Sequence, residues 1–262
     1  MGAPFDLTDL IINFMLPFIR IAALFMVMPI FGASLIPKRV KVILSLGVSF
    51  IVFVSLSDSV VSFTQSLTLF HLVLLIGQQI LIGAAMGLII HIIFQAFVIA
   101  GQISAMQMGL GFASMMDPQN GVSVPAVGQL YLMIVTLLYL SINGHLYAIQ
   151  ILVESFAVFP VTILNITSLP VEKLILLSNW MFMGAVKISL PAIAALLIVN
   201  LSIGIMTKAA PQLNIFSIGF PLTMILGLII LWFAMAAVVP EFHRLMDAVH
   251  FELVDWGTPD VR

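Results

Sequence analysis

"LFHLVLLIGQQILIGAAMGLIIHIIFQAFVIAG", Leu69 to Gly101, carries no charged side chain, and no Asp, Glu, Lys or Arg occurs anywhere between Asp58 and Asp117. A spanning helix needs ~20 mostly apolar residues. This run is longer, so it reads as a helix that must bend, tilt or extend beyond lipid. The rest of the chain is built alike: of 262 residues, 62% are hydrophobic and 8% charged, with a mean hydropathy of +1.25. Ordinary soluble domains carry roughly 25% charged residues. A chain so poor in charge cannot cover a globule with it and must meet lipid or equally apolar subunits. The net charge of −2 gives no reason to expect nucleic acid or an acidic partner. Cysteine is absent, which removes disulfides, thiolate catalysis and cysteine metal sites. The start "MGAPFDLTDL" has no basic segment before its apolar run, unlike a cleaved signal peptide, and Asp6 breaks the myristoylation pattern.

Further apolar runs lie on both sides. Leu10 to Ile36 is interrupted by Arg20 and Pro29 and leads into the basic hinge "PKRVK", Pro37 to Lys41. Val42 to Ser57 ends in the polar "SDSVVSFTQS". Val127 to Leu140 is followed by the break "SINGH" and a helix through Phe156 to Pro160. Val171 to Thr207 contains Lys187 and Pro191, and a kink or break is expected near the proline. Leu213 to Val239 comes last, after "TKAAPQLN"; the tail from Pro240 changes composition and reads as a short amphipathic segment in water. The fold class is all-α, built of long, broken apolar helices and helical hairpins. Counted as six spans, the runs put Lys38, Arg39, Lys41 and Lys208 on the cytoplasmic side and Asp58 opposite.

Convergent acids, bases and nucleophiles are missing. The five histidines are scattered without metal-ligand spacing, and "GLGFAS" lacks the lysine and strand context of a nucleotide site. Neither an enzyme, a cofactor nor a metal site is expected. Charges inside apolar runs cost a few kcal/mol on insertion scales and mark functional positions by default. Arg20 is expected either to pair with a carboxylate of a neighbouring helix or to snorkel to an interface. Glu154 and Lys187 are candidates for a mutual ion pair. His145, in "NGHLY", is expected to be satisfied by backbone.

One loop breaks the usual pattern. "QMGLGFASMMDPQNGVSVP", Gln107 to Pro125, follows the charge-free run, yet where connecting loops are normally polar it offers glycine, methionine and phenylalanine. Glycines at 109 and 111 allow backbone conformations and close approach that other residues resist. Met106, Met108, Phe112, Met115 and Met116 supply apolar bulk, and methionine adapts its shape to irregular surroundings. Asp117-Pro118 would end the loop as a rigid turn.

Four stretches together resemble the R-type subunits of the bacterial flagellar and virulence type III secretion export gates. They are "RIAALFMVMPIFGASLIPKRVK" (Arg20 to Lys41), "GQISAMQMGLGFASMMDP" (Gly101 to Pro118), "NGHLYAIQILVESF" (Asn143 to Phe156) and "KAAPQLNIFSIGFPLTMILGLIIL" (Lys208 to Leu231). The "APQLNIFSIGFP" form looks like the flagellar branch more than the injectisome branch. The first part also looks similar to the P-type gate subunit, and the hairpin around "KAAPQLN" to the small Q-type subunit. The resemblance thus implies a P-type and a Q-type subunit joined in one chain: a P-like half over residues 1–166 holding the loop 106–125, a Q-like hairpin over 167–240, and a polar tail over 241–262.

It also implies partners and a role. P-type (FliP) and Q-type (FliQ) gate subunits, FlhB, unfolded export substrates and the membrane would be the partners, at the bacterial inner membrane within the flagellar basal body. The helices would pack largely on each other around a pore, with the R-type loop as its plug: Met106, Met108, Gly109, Gly111, Phe112, Met115 and Met116, anchored by Asp117 and Pro118. A hydrophobic constriction of this kind holds back water and ions by dewetting. The alternative for the loop is a re-entrant segment that caps the helices, and for the whole chain a small-molecule secondary transporter or a purely structural scaffold. At the hairpin turn, Pro211, Gln212 and Asn214 should separate two helices, with Lys208 at the C-terminal end of the first, where a cation is favoured.

Overall fold

The computed structural model describes residues 7–33, 36–56, 69–110, 126–161, 171–210 and 215–255, and among them every regular element is helical. In order these are α1 (Leu7–Val27), α2 (Lys38–Leu56), α3 (Leu69–Gln107), α4 (Ala126–Ser141), α5 (Gly144–Val158), α6 (Val171–Ala209), α7 (Ile215–Ala234), a 3-10 turn (Met235–Ala237) and α8 (Val238–Asp255). They form two compact units, each assembled from separate parts of the sequence. One comprises Met1–His91, Asn143–Leu176 and Val249–Arg262; the other comprises Ile92–Ile142 and Leu177–Ala248.

Local chemistry explains the breaks. α1 stops at Val27, two residues before Pro29, because proline disfavours helical backbone in the residue ahead of it. The turn that follows is closed by Lys41, whose Nζ donates to Gly32 O at 2.8 Å. Within "SINGH" the interruption falls at Asn143, which sits in the left-handed region (φ 57, ψ 30) and whose carbonyl accepts the first N–H bonds of α5, from Leu146 and Tyr147. Asparagine is among the few residues other than glycine that tolerate this conformation.

In the first unit α1 packs on α2, with Phe14 edge-on to Phe53 at 5.9 Å between ring centroids. Its other neighbour is α3, which approaches through Gly83 and Gly87. A Cβ at Gly83 would stand 2.2 Å from Arg20 O, and one at Gly87 would stand 2.8 Å from Val27 Cβ. This is a G-x-x-x-G contact, in which two backbones come closer than any side chain would permit. The second unit uses the same device where α3 meets α4: a Cβ at Gly101 would lie 2.6 Å from Gly128 Cα. Phe94 on Tyr139 (5.4 Å) extends that contact, and Phe97 on Phe242 (6.1 Å) joins α3 to α8.

α6 runs through Pro191 as one element rather than breaking there, although the proline withholds a backbone bond. The tail from Pro240 lies in α8, an amphipathic helix that buries Val238, Phe242, Leu245 and Val249, spaced four, three and four apart as one helix face requires, and exposes His243, Arg244 and Asp247. Among the described residues, three helical stretches are long and apolar enough to cross a membrane: Leu69–Gln107, Ile175–Ala209 and Gly219–Val249. The pair Ala126–Ser141 and Gly144–Val158 makes a fourth if counted as one broken span.

Candidate functional site

The apolar loop leaves α3 through a fully bonded helix end. Gly109 has φ +83, the left-handed region glycine adopts without strain. Its N–H donates to Met106 O (3.1 Å), and Leu110 N–H donates to Ala105 O (3.0 Å). These two bonds make a Schellman stop with Gly109 at its left-handed position. Met108 N–H donates to Ser104 O (3.1 Å).

The last two carbonyls are met by side chains from α6 and α7. Asn200 Nδ2 donates to Gln107 O at 3.3 Å. Thr223 Oγ1 lies 3.4 Å from Met108 O and shares its single proton with Phe220 O at 2.9 Å, so its hold on Met108 is the weaker arm. Five successive carbonyls, Ser104 to Met108, therefore all have partners. The Met108 side chain is completely buried and fills the notch left by Gly227 of α7, where a Cβ would stand 2.5 Å from Met108 Cγ. The Phe220 ring lies 3.3 Å from where a Cβ at Gly109 would be.

Of the residues expected in the plug, Met108 and Gly109 thus stand at the root of the loop, and Met106 points outward, 68% exposed. Gly111, Phe112, Met115, Met116, Asp117 and Pro118 lie outside the described residues, as do Pro211, Gln212 and Asn214 at the hairpin turn. The helices on either side of that turn are separate: α6 ends at Ala209, with exposed Lys208 in its last turn, and α7 begins at Ile215. Asn200 and Thr223 escaped the sequence reading. Their signal was present, for each is an isolated polar residue in an apolar helix and such a group must find a partner when buried.

Arg20 is the buried charge of the first unit, with no exposed surface. It does not snorkel, and among the described residues it meets no carboxylate. Nε donates to Gln79 Oε1 (2.7 Å), one terminal nitrogen donates to both Ser155 O and Ser155 Oγ (3.1 Å each), and the other donates to Phe159 O (2.7 Å). The guanidinium carbon lies 4.1 Å from the centre of the Phe156 ring. Ser155 and Phe159 are the end of α5, where the carbonyls carry partial negative charge although Ser155 O already accepts from Phe159 N–H (2.8 Å), and the aromatic face adds a cation–π attraction. Glu154 and Lys187 are exposed, and Glu154 accepts a bond from Gln150 of its own helix at 2.9 Å. His145 Nδ1 is buried without a hydrogen-bond partner, contrary to the expected backbone bond. No group of three or more potential metal ligands occurs among the described residues.

Residues 11–249 match the family described as bacterial export proteins, family 1. The chain is 35% identical over 244 residues to the flagellar biosynthetic protein FliR of Buchnera aphidicola subsp. Schizaphis graminum, covering 93% of both chains. To the protein of the same name from Escherichia coli (strain K12) it is 34% identical over 239 residues, covering 91% of this chain and 90% of that one. The Bacillus subtilis (strain 168) counterpart is 33% identical over 237 residues, covering 89% and 90% respectively. With the match spanning nearly its whole length and its relatives matched over nearly all of theirs, the chain belongs to family 1 of the bacterial export proteins, alongside the flagellar biosynthetic proteins FliR.

Proposed function

We infer that this chain is a non-enzymatic subunit of the flagellar type III protein export gate. With P-type and Q-type subunits it forms the channel for unfolded export substrates, in the inner membrane at the flagellar basal body, and FlhB is a further partner. Its Gly/Met/Phe loop plugs the closed pore. The chain is composed as a P-like half (residues 1–166) joined to a Q-like hairpin (167–240) and a polar tail (241–262). The observation that carries this reading is the loop root: a Gly-, Met- and Phe-rich sequence departs from a helix end that turns at Gly109 and is held on three sides, at Asn200, Thr223 and Gly227. A segment anchored so firmly at one end and so apolar beyond it suits a seal better than a connector. The flagellar names of the relatives favour the flagellar over the virulence system.

The test removes the bulk of the plug. Deleting Gly111 to Met115, or replacing Phe112 and Met115 by Ala, should let water into the constriction and raise ion leakage severalfold in cells making the complex. Assembly should survive, because loop residues contribute little to a packed core. Phe233→Ala, on an exposed part of α7, is the control and should stay tight. Plug variants that assemble at parent levels and conduct no more than the parent would leave the loop as a cap.

A further inference from the structure

We propose that the bare face of α6 is covered by another protein subunit, and that this subunit presents a carboxylate to Lys187 from an apolar helix. This rests on the gate reading above and gives the chemistry of one contact within it.

Lys187 is the sole charged residue between Lys173 and Lys208. It stands on the bare side of α6. Met183, one turn before it, is 49% exposed, its neighbour Val186 is 50% exposed, and Leu190, three residues on, is 56% exposed. Residues three and four apart share a helix face, so the ammonium stem rises from the middle of an apolar stripe. Lys187 is itself exposed and has no hydrogen bond or ion pair among the described residues.

Neither water nor lipid suits this face. Its bare residues run from Ile175 (68% exposed) to Met206 (50%), which is about 46 Å of helix. The hydrocarbon of a bilayer is only ~30 Å thick. A layer that reached well to both sides of Lys187 would hold an unpaired charge, which is costly there. A layer that began at Lys187 and ended near Lys208 would let both lysines snorkel, but it would leave Ile175, Met183 and Val186 in water. Protein covers both arms of the stripe and can set a counter-charge between them. Neutral acceptors suffice for Arg20 because its charge is spread over a planar fork; the charge of Lys187 sits on one strongly hydrated atom. A carboxylate accepts the ammonium's N–H bonds and cancels its charge together.

The test uses the complex, made by co-expressing the chain with P- and Q-type subunits of its own organism and captured through a tag on the P-type subunit. The amount of this chain recovered per P-type subunit is the readout. Lys187→Met keeps length and apolarity but strands the facing carboxylate, and it should lower recovery about tenfold or more. Lys187→Glu sets two carboxylates together and should lower it at least as far. Lys187→Arg keeps a cation and should stay near the parent. Replacing the acids in apolar helices of the P- and Q-type subunits by Lys, one at a time, should reveal one exchange that restores Lys187→Glu; a folding defect in this chain would not be repaired from another subunit. If the parent itself is not recovered with the P-type subunit, the gate reading falls and the pairing with it. If the parent is recovered and Lys187→Met equally so, no acid faces Lys187, and the gate reading stands without this contact. Equal losses for Lys187→Arg and Lys187→Met would make the role steric and overturn the pairing, as would failure of every exchange to restore Lys187→Glu. Restoration by Glu154→Lys in this chain would put a second copy on the face and overturn it too.

Discussion

Arg20 shows how a guanidinium can sit in an apolar interior on amide, carbonyl, hydroxyl and aromatic partners. Its contacts come from three directions: an amide oxygen on α3, two carbonyls and a hydroxyl at the end of α5, and an aromatic face. The arrangement has a residual cost. With Oε1 turned to Arg20, the Gln79 Nε2 is buried and lacks a partner. Only a planar fork of donors spans these positions, and an ammonium, though charged, cannot. Arg20→Lys should therefore destabilise the detergent-solubilised complex by on the order of 2 kcal/mol, because Gln79 Oε1 and Phe159 O cannot both keep the donor that Arg20 gives them. Ser155→Ala, which deletes one acceptor and keeps the carbonyl, should cost on the order of half that. Thermal melts of the purified complex would read both, and an Arg20→Lys protein melting with the parent would show that charge alone is what the site needs.

At the level of elements, close approach through glycine is the recurring device, and it makes unequal demands on the glycines. Gly83 and Gly87 have backbone or branched side chains within 3 Å of any added Cβ, whereas Gly47, Gly77 and Gly204 face open space within the chain. Gly83→Ala should therefore push α1 from α3 and disturb Arg20, whose own carbonyl is the obstructing atom. Gly77→Ala should be neutral or gain up to about 1 kcal/mol from helix propensity. Because Gly83 and Arg20 share one contact, the double variant Gly83→Ala with Arg20→Lys should lose less stability than the sum of the singles; strict additivity would separate the two sites. The sequence disclosed the elements better than their pairing. Leu69 to Gly101 was legible as one overlong helix because nothing in it interrupts an apolar run, and the break at "SINGH" was legible in Asn143-Gly144. Which helices touch was not, since a helix apolar on every side has no stripe to mark its buried face. The same blindness hid the tie of Asn200 and Thr223 to the loop, for a polar residue in such a helix advertises that it needs a partner without saying where. Pro191 did not end α6 because proline removes only one backbone bond, and the rest of a 39-residue helix keeps its own.

For the whole molecule, the helices divide by how well their own chain covers them. α3 and α6 each have 39 residues, about 58 Å of helix, nearly twice the ~30 Å hydrocarbon thickness of a bilayer. Yet 67% of the most apolar stretch of α3 is buried inside the chain, against 28% for Ile175–Ala209 and 22% for Gly219–Val249. α3 is thus a core helix despite a composition that reads as lipid-facing. The α6–α7 hairpin is bare, with Leu197, Ile198, Leu201, Ile205, Trp232 and Phe233 all more than 60% exposed. Apolar surface on this scale does not remain in water, so either lipid or other gate subunits must cover it. The proposed function favours subunits, which gives a final expectation. Made alone, the chain should aggregate or run as a broad, polydisperse species in detergent. Made together with P- and Q-type subunits of the same organism, it should elute as one discrete complex of defined mass by size exclusion with light scattering. Because the chain has no cysteine, Leu201→Cys supplies a single thiol on the bare face, and that thiol should react with a maleimide in the lone chain and be shielded in the complex. A monodisperse lone chain that ignores those partners, or a thiol equally reactive in both preparations, would mean that lipid covers the hairpin and would count against the gate.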